Sequence, residues 1–112
     1  MAEPRLKTEI LVHAGFRYCE RAFLVAVLRR RGDPDAGALM VKVSRLDGTA
    51  AIFSRIYGFS GGSEWQRATG DEWVSEEVAE KRLESEIRID PDVWIVEVED
   101  PDGRNPFEDL GS

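Results

Sequence analysis

Residues 38–57 read ALMVKVSRLDGTAAIFSRIY, and this stretch decides the fold. Two apolar-rich runs, 38–46 and 49–57, flank Asp47-Gly48. That dipeptide suits a two-residue type I′ turn, whose central positions both need positive φ. Such a turn sets Val43 opposite Ile52, Leu39 opposite Ile56 and Val41 opposite Ser54. One face of the hairpin is then almost wholly apolar. The other pairs Met40 with Arg55 and Lys42 with Phe53, which suits a partly wet face. A one-residue slip would mix the two faces. An antiparallel hairpin is therefore the element around which the others are placed.

Upstream, residues 23–28 (FLVAVL) form a continuous apolar run, expected as a central strand covered on both faces. Arg29-Arg30-Arg31 returns that strand to water, and residues 32–37 (GDPDAG) read as a loop. Residues 8–22 are expected to be helical. Leu11, Ala14, Gly15, Tyr18 and Ala22 fall at three-and-four spacing on one face, with Arg17, Glu20 and Arg21 on the other. Gly15 weakens that helix by about 1 kcal/mol relative to Ala. A strand over residues 10–16 stays open as the alternative.

Downstream, the Gly-rich residues 58–63 predict a loop and residues 65–69 a short strand. Ser75 is placed to cap a second helix running to Ile87 or Ile89. Glu76 and Glu77 lie in its first turn, where the helix dipole favours negative charge. Val74 and Ala79 stand at hydrophobic-staple positions. Ala79, Leu83 and Ile87 form the inner stripe, and Asp90-Pro91 ends the helix. Residues 92–99 alternate as a last strand, Trp94, Val96 and Val98 against Ile95, Glu97 and Glu99. The order expected is α-β-β-β-β-α-β. It describes a single α+β domain over residues 1–100, a mostly antiparallel sheet of about five strands with two helices. The Pro, Gly and Asp content of residues 101–112 predicts a poorly ordered acidic tail.

Composition narrows the function. With 112 residues, the chain is long enough for one core without disulfide or metal staples. No apolar run approaches the ~20 residues that cross a bilayer. Lone Cys19 cannot form an internal disulfide, so a reducing cytoplasm is expected. The net charge is −7, spread as +4 over residues 1–31, zero over 32–70 and −11 over 71–112. An acidic chain repels phosphate backbones, which disfavours nucleic acid as a partner. The plainer reading is that basic and acidic segments attract one another within one fold or one oligomer.

Catalytic equipment is sparse. His13 and Cys19 are the sole imidazole and thiol. Six residues apart, they stand about 600° around a helix and face different ways. The chain lacks the ligands for a Cys/His zinc site. Glu97 and Glu99 share a strand face and could act as a carboxylate pair, but an ordinary solvated face explains them as well. The Asp33/Asp35 loop lacks the closing Glu of a calcium loop. Gly61-Gly62 lacks the Gly-Lys-Ser/Thr ending of a phosphate loop. No catalytic residue, metal or cofactor is expected.

Two features stand above this background. Arg29, Arg30 and Arg31 leave a strand and enter a loop at Asp33, and guanidinium groups there suit bidentate binding of phosphate or carboxylate. Pairing with the acidic C-terminal third is the bland alternative. Tyr57, Phe59, Trp65 and Trp73 lie around the Gly-rich loop, where aromatic rings can anchor a partner or cover the end of the core.

Four segments are distinctive in combination: residues 5–10 (RLKTEI), 30–38 (RRGDPDAGA), 46–50 (LDGTA) and 90–97 (DPDVWIVE). Together they resemble a family of short, mainly alphaproteobacterial proteins catalogued as a domain of unknown function. The resemblance spans about residues 5–105. It implies a bacterial cytoplasmic single-domain protein and carries no activity or site residue. The reading is a non-enzymatic binding or accessory protein. Its expected surface joins Arg29, Arg30, Arg31 and Asp33 to Tyr57, Trp65 and Trp73. Another protein is the expected partner, with a homo-oligomer open. The alternative is a protein or enzyme that binds a small anion through the arginine loop.

Overall fold

Each face of the central strands lies under one helix, so the middle of the sheet is dry on both sides. The computed structural model describes residues 7–57, 63–108 and 110, the side chains at 56, 57 and 63 excepted. Helix α1 (Thr8–Arg21) leads into strands β1 (Val25–Arg30), β2 (Leu39–Ser44), β3 (Thr49–Tyr57), β4 (Ser63–Arg67) and the two-residue β5 (Val74–Ser75). Helix α2 (Glu76–Ile89) and strand β6 (Trp94–Glu99) complete the order. The sheet order is β1-β6-β2-β3-β4, with β5 on β3. β6 runs parallel to β2, and the other pairings are antiparallel. The expected α+β class and single domain hold.

α1 covers one face. Leu11, Val12 and Cys19 pack on Leu39, Val41, Val43, Ala51, Phe53, Trp94, Val96 and Val98. α2 covers the other, with Ala79 and Leu83 on Met40, Ala50, Ile52, Val93 and Ile95. α2 starts as its sequence dictates: the Ser75 hydroxyl accepts the Val78 N–H at 3.2 Å. α1 has no side-chain cap. Its start is held by the 32–37 loop instead. The Pro34 carbonyl accepts the Glu9 N–H at 3.0 Å, and the Gly37 carbonyl accepts the Thr8 hydroxyl at 2.6 Å. The inner face of α1 is Thr8, Leu11, Val12, Gly15 and Cys19, while Tyr18 and Ala22 are exposed.

Three expectations need correction. β1 is an edge strand, and the central place beside β2 belongs to β6. Only the α1 side of β1 is covered, by Leu24 and Ala26, and Val25 and Val27 remain about half exposed. A continuous apolar run does not require two covered faces when one helix lies elsewhere. The hairpin register is also one residue off. Val43 pairs with Ala51 and Lys42 with Ile52. The Arg45 N–H reaches the Thr49 carbonyl at 3.1 Å, leaving a three-residue loop, Leu46-Asp47-Gly48. Leu46 and Gly48 take positive φ of 65° and 89°. Because both faces are dry, the apolar pattern could not fix the register.

The third correction concerns residues 101–108, which belong to the fold. Asp100, Asn105 and Phe107 are buried, Phe107 completely. Asp100 accepts the N–H of Asp102 at 3.0 Å and of Arg104 at 3.1 Å, and Nε of Arg104 at 2.9 Å. Burial works against its charged form, but these bonds prevail and hold the carboxyl below its ordinary value. Phe107 then seats on α1 at Gly15 and meets Phe16 edge-on at 6.5 Å.

Candidate functional site

The three consecutive arginines go to three different places. Arg29 turns to the α2 side. It donates to both Glu80 oxygens, at 2.7 and 2.9 Å, and to Glu97 at 2.6 Å. These bonds raise its pKa against the opposing effect of burial. Lys42, almost wholly buried on the same face, is held by Glu76 at 2.7 Å and Glu80 at 2.6 Å. Arg30 donates to the Pro91 carbonyl at 2.7 Å, and its Nε is buried without a partner. A β-bulge between Leu28 and Arg30 shifts the strand's phase at this point. Arg31 lies toward α1, paired with Glu9 and 5.3 Å from the centre of the Trp94 ring.

The expected pairing of the arginine run with the acidic C-terminal third is met by Arg29, with Glu80 and Glu97, whereas Arg31 pairs with Glu9 of α1. Asp33 is structural. Its carbonyl accepts the Trp94 indole N–H at 2.7 Å, and its carboxylate accepts the Ala36 N–H at 2.8 Å.

Arg31 borders a cleft of about 390 Å³ between α1 and the β1 edge. Phe16 and Leu28 supply its apolar wall, with the buried Val12 and Trp94 beneath them. His13 and Arg17, on successive turns of α1, join Arg31 as its polar members. Among the described residues, His13 and Arg17 make no hydrogen bond or ion pair. A carboxylate or phosphate entering this cleft would meet an unengaged guanidinium, a second one stacked on an indole, and an imidazole. An apolar group attached to it would meet Phe16 and Leu28.

The expected aromatics are elsewhere. Trp73 is flanked by Arg45 and Arg67, whose guanidinium carbons lie 4.2 and 4.9 Å from its ring. Trp65, on β4, packs against the core. β4 and β1 are opposite edges of the sheet, so Trp65 and the arginines do not share one surface. The side chain of Tyr57, together with Phe59 and Gly61-Gly62, lies outside the described residues.

His13 and Cys19 do not come together. Cys19 is buried and burial pushes its thiol pKa up, which makes it a poor nucleophile. His13 is exposed on another face. Among the described residues no three His, Cys, Asp or Glu side chains form a metal-holding group. No described helix is long and apolar enough to cross a membrane.

A family profile described as "Protein of unknown function (DUF1491)" matches residues 6–108. The chain belongs to the DUF1491 family. A crystal structure of a DUF1491 protein from Caulobacter crescentus is 40% identical, with a TM-score of 0.79. The match covers 91% of this chain and 94% of that one. An NMR structure of a DUF1491 protein from the same organism is 38% identical over 93% and 94% of the two chains, again with a TM-score of 0.79. A solution structure of an A. tumefaciens protein is 27% identical, TM-score 0.73, covering 85% and 86%. No curated protein matches the chain. Family membership therefore fixes the fold and leaves the function to the site.

Of the cleft's polar residues in this DUF1491 protein, the sequence marks Arg31 as a ligand contact, His13 only as the sole imidazole and Arg17 only as an outer-face residue. The signal for the others was the four-residue spacing of His13 and Arg17, which puts both on one helix face. Trp94, 63 positions after Arg31, had no local signal.

Proposed function

We propose that the protein is a non-enzymatic binding protein for a small organic carboxylate, held in the cleft between α1 and the β1 edge. One observation carries the reading: Arg17 stands unengaged at an apolar-walled cleft of about 390 Å³ that Arg31 and His13 also border. Binding pockets for small ligands run from about 300 to 1,000 Å³, mostly apolar with a few placed polar groups. A carboxylate fits the planar fork of Arg17, and its hydrocarbon part fits the wall of Phe16 and Leu28. Arg31 would release Glu9 or share its charge with the ligand. A poor thiol nucleophile and an imidazole without a carboxylate to orient it support binding over turnover. The lone, buried Cys19 supports a reducing cytoplasm as the setting.

Thermal-shift and calorimetric titration with benzoate, octanoate and inorganic phosphate tests this. Benzoate or octanoate should stabilise the protein, by about 2.7 kcal/mol at 100 times the Kd. Arg17→Ala should abolish the effect while leaving the unliganded melting temperature within about 2 °C, since the side chain is exposed and unpaired. No shift with either carboxylate, or an equal shift in Arg17→Ala, would overturn the proposal. A response to phosphate alone would reassign the ligand class.

A further inference from the structure

A second pocket lies at the other end of α1, between Tyr18, Ala22 and the C-terminal segment. Its volume is about 250 Å³. Leu24, Phe53 and Pro106 add apolar surface, and Arg104, Asn105 and Glu108 line it too. Asn105 is 7% exposed, and its Nδ2 is buried with no hydrogen-bond partner among the described residues. The orientation of that amide is fixed, because Oδ1 accepts the Phe107 N–H at 3.0 Å. The donor end is therefore the end left over. A buried donor without an acceptor is costly unless something from outside supplies one.

The wall is firmly built. Asp100 ties residues 102 and 104, Phe107 anchors the segment, and Gly103 presses on Trp73, where an added Cβ would come within 2.6 Å of the indole. Next to the pocket, Arg67 lies 5.6 Å from the Phe53 ring centre, and its Nε and Nη2 are likewise buried without partners. Arg67 thus lies beside the Phe53 wall, while Arg104 lines the pocket itself next to Asn105. Glu108 offers the opposite sign: among the described residues its carboxylate has no ion pair.

We infer that this pocket binds a free α-amino acid with a small apolar side chain. The amide of Asn105 donates to the ligand carboxylate, and Arg104 at the pocket wall, with Arg67 beside Phe53, lends positive charge. Glu108 takes the ammonium group. Leu24, Phe53 and Pro106 receive the side chain. The volume admits a small ligand and leaves no room for a drug-sized one. No residue of the first cleft takes part, so the two sites stand or fall separately.

The test is two-dimensional NMR on the ¹⁵N-labelled protein, titrated with L-leucine, 4-methylpentanoate (no ammonium) and isoamylamine (no carboxylate). L-Leucine should move the Asn105 side-chain amide resonances saturably. Isoamylamine should bind about tenfold more weakly, since the buried donor then stays unpaired. Asn105→Asp keeps the acceptor for the Phe107 N–H and replaces the donor by a repelling oxygen. It should weaken L-leucine by about tenfold or more while the amide spectrum stays folded. Unmoved Asn105 resonances at millimolar L-leucine would show a donor that is merely hydrated, and would overturn the site. Equal affinity for 4-methylpentanoate and L-leucine would overturn the zwitterion assignment.

Discussion

A β-carbon placed on Gly15 would stand 1.9 Å from Cε2 of Phe107. The helix and the C-terminal segment touch at that point because nothing else fits between them. Alanine is the better helix former by about 1 kcal/mol, so Gly15→Ala should stabilise an isolated α1. In the folded protein the clash should outweigh this, because inserted methyl groups in a packed core cost about 1–3 kcal/mol. A net loss of about 1–2 kcal/mol is expected from urea unfolding. Stability equal to or above wild type would mean Phe107 does not pack there.

The Arg29–Glu80 pair should give the protein an acid-sensitive stability. The Arg29 hydrogen bonds, aided by Lys42 and opposed by burial, hold the Glu80 carboxyl at about 2 rather than its ordinary 4.5. The folded state therefore keeps a charge that the unfolded chain gives up first as pH falls. The contribution is whole above about pH 4.5 and is lost progressively toward pH 2. The Glu80 side chain is 38% exposed, so solvent screening reduces the effect to about 1 kcal/mol. Glu80→Gln should flatten the acid limb of stability against pH, followed by circular dichroism in urea. An unaltered limb would remove Glu80 as a source of the slope.

Lys42 is the buried centre of the same network, its side chain 4% exposed against Glu76, Glu80 and Glu97. Lys42→Met keeps the apolar stem and deletes the charge. Breaking a buried pair typically costs about 3–5 kcal/mol, and the partly exposed glutamates should reduce that to about 2–3. Lys42→Met with Glu76→Gln should recover some of the loss, with a coupling energy above about 0.5 kcal/mol. Strictly additive losses would show that the two side chains do not interact.

Sequence reading succeeded where one local rule sufficed. Ser75, Glu76 and Glu77 announce the start of α2, and the Ala79/Leu83 stripe is the buried one. It failed where a distant partner decided. Both hairpin registers give an apolar face once α1 and α2 cover both sides, so the pattern between Val41 and Phe53 was silent on which one forms. The run at residues 23–28 reads as covered twice, yet α2 lies over β2, β3 and β6 instead. Phe107 is one aromatic in a Pro/Asp-rich stretch, and only Gly15, 92 positions earlier, explains its burial. The cleft was half legible for the same reason. Arg31 stood out by composition, while its orientation depends on a bulge with no sequence mark.

Gly32 locks the loop that carries Arg31 against β6. A Cβ on Gly32 would meet the Asp92 carbonyl oxygen at 2.1 Å and the Trp94 backbone N at 2.8 Å. Backbone atoms of a central strand cannot yield as a side chain can, so Gly32→Ala must push the loop outward. That motion strains the 3.0 Å bond from the Asp33 N–H to Asp92 and the 2.7 Å bond from the Trp94 indole to the Asp33 carbonyl. A loss of about 2–3 kcal/mol is expected, at the upper end for overpacking. Because Trp94 also lies beneath the cleft proposed to bind a carboxylate, the indole N–H resonance should shift and any carboxylate affinity should fall with it. A folded Gly32→Ala variant with an unshifted Trp94 indole resonance would show that the loop is not locked to β6.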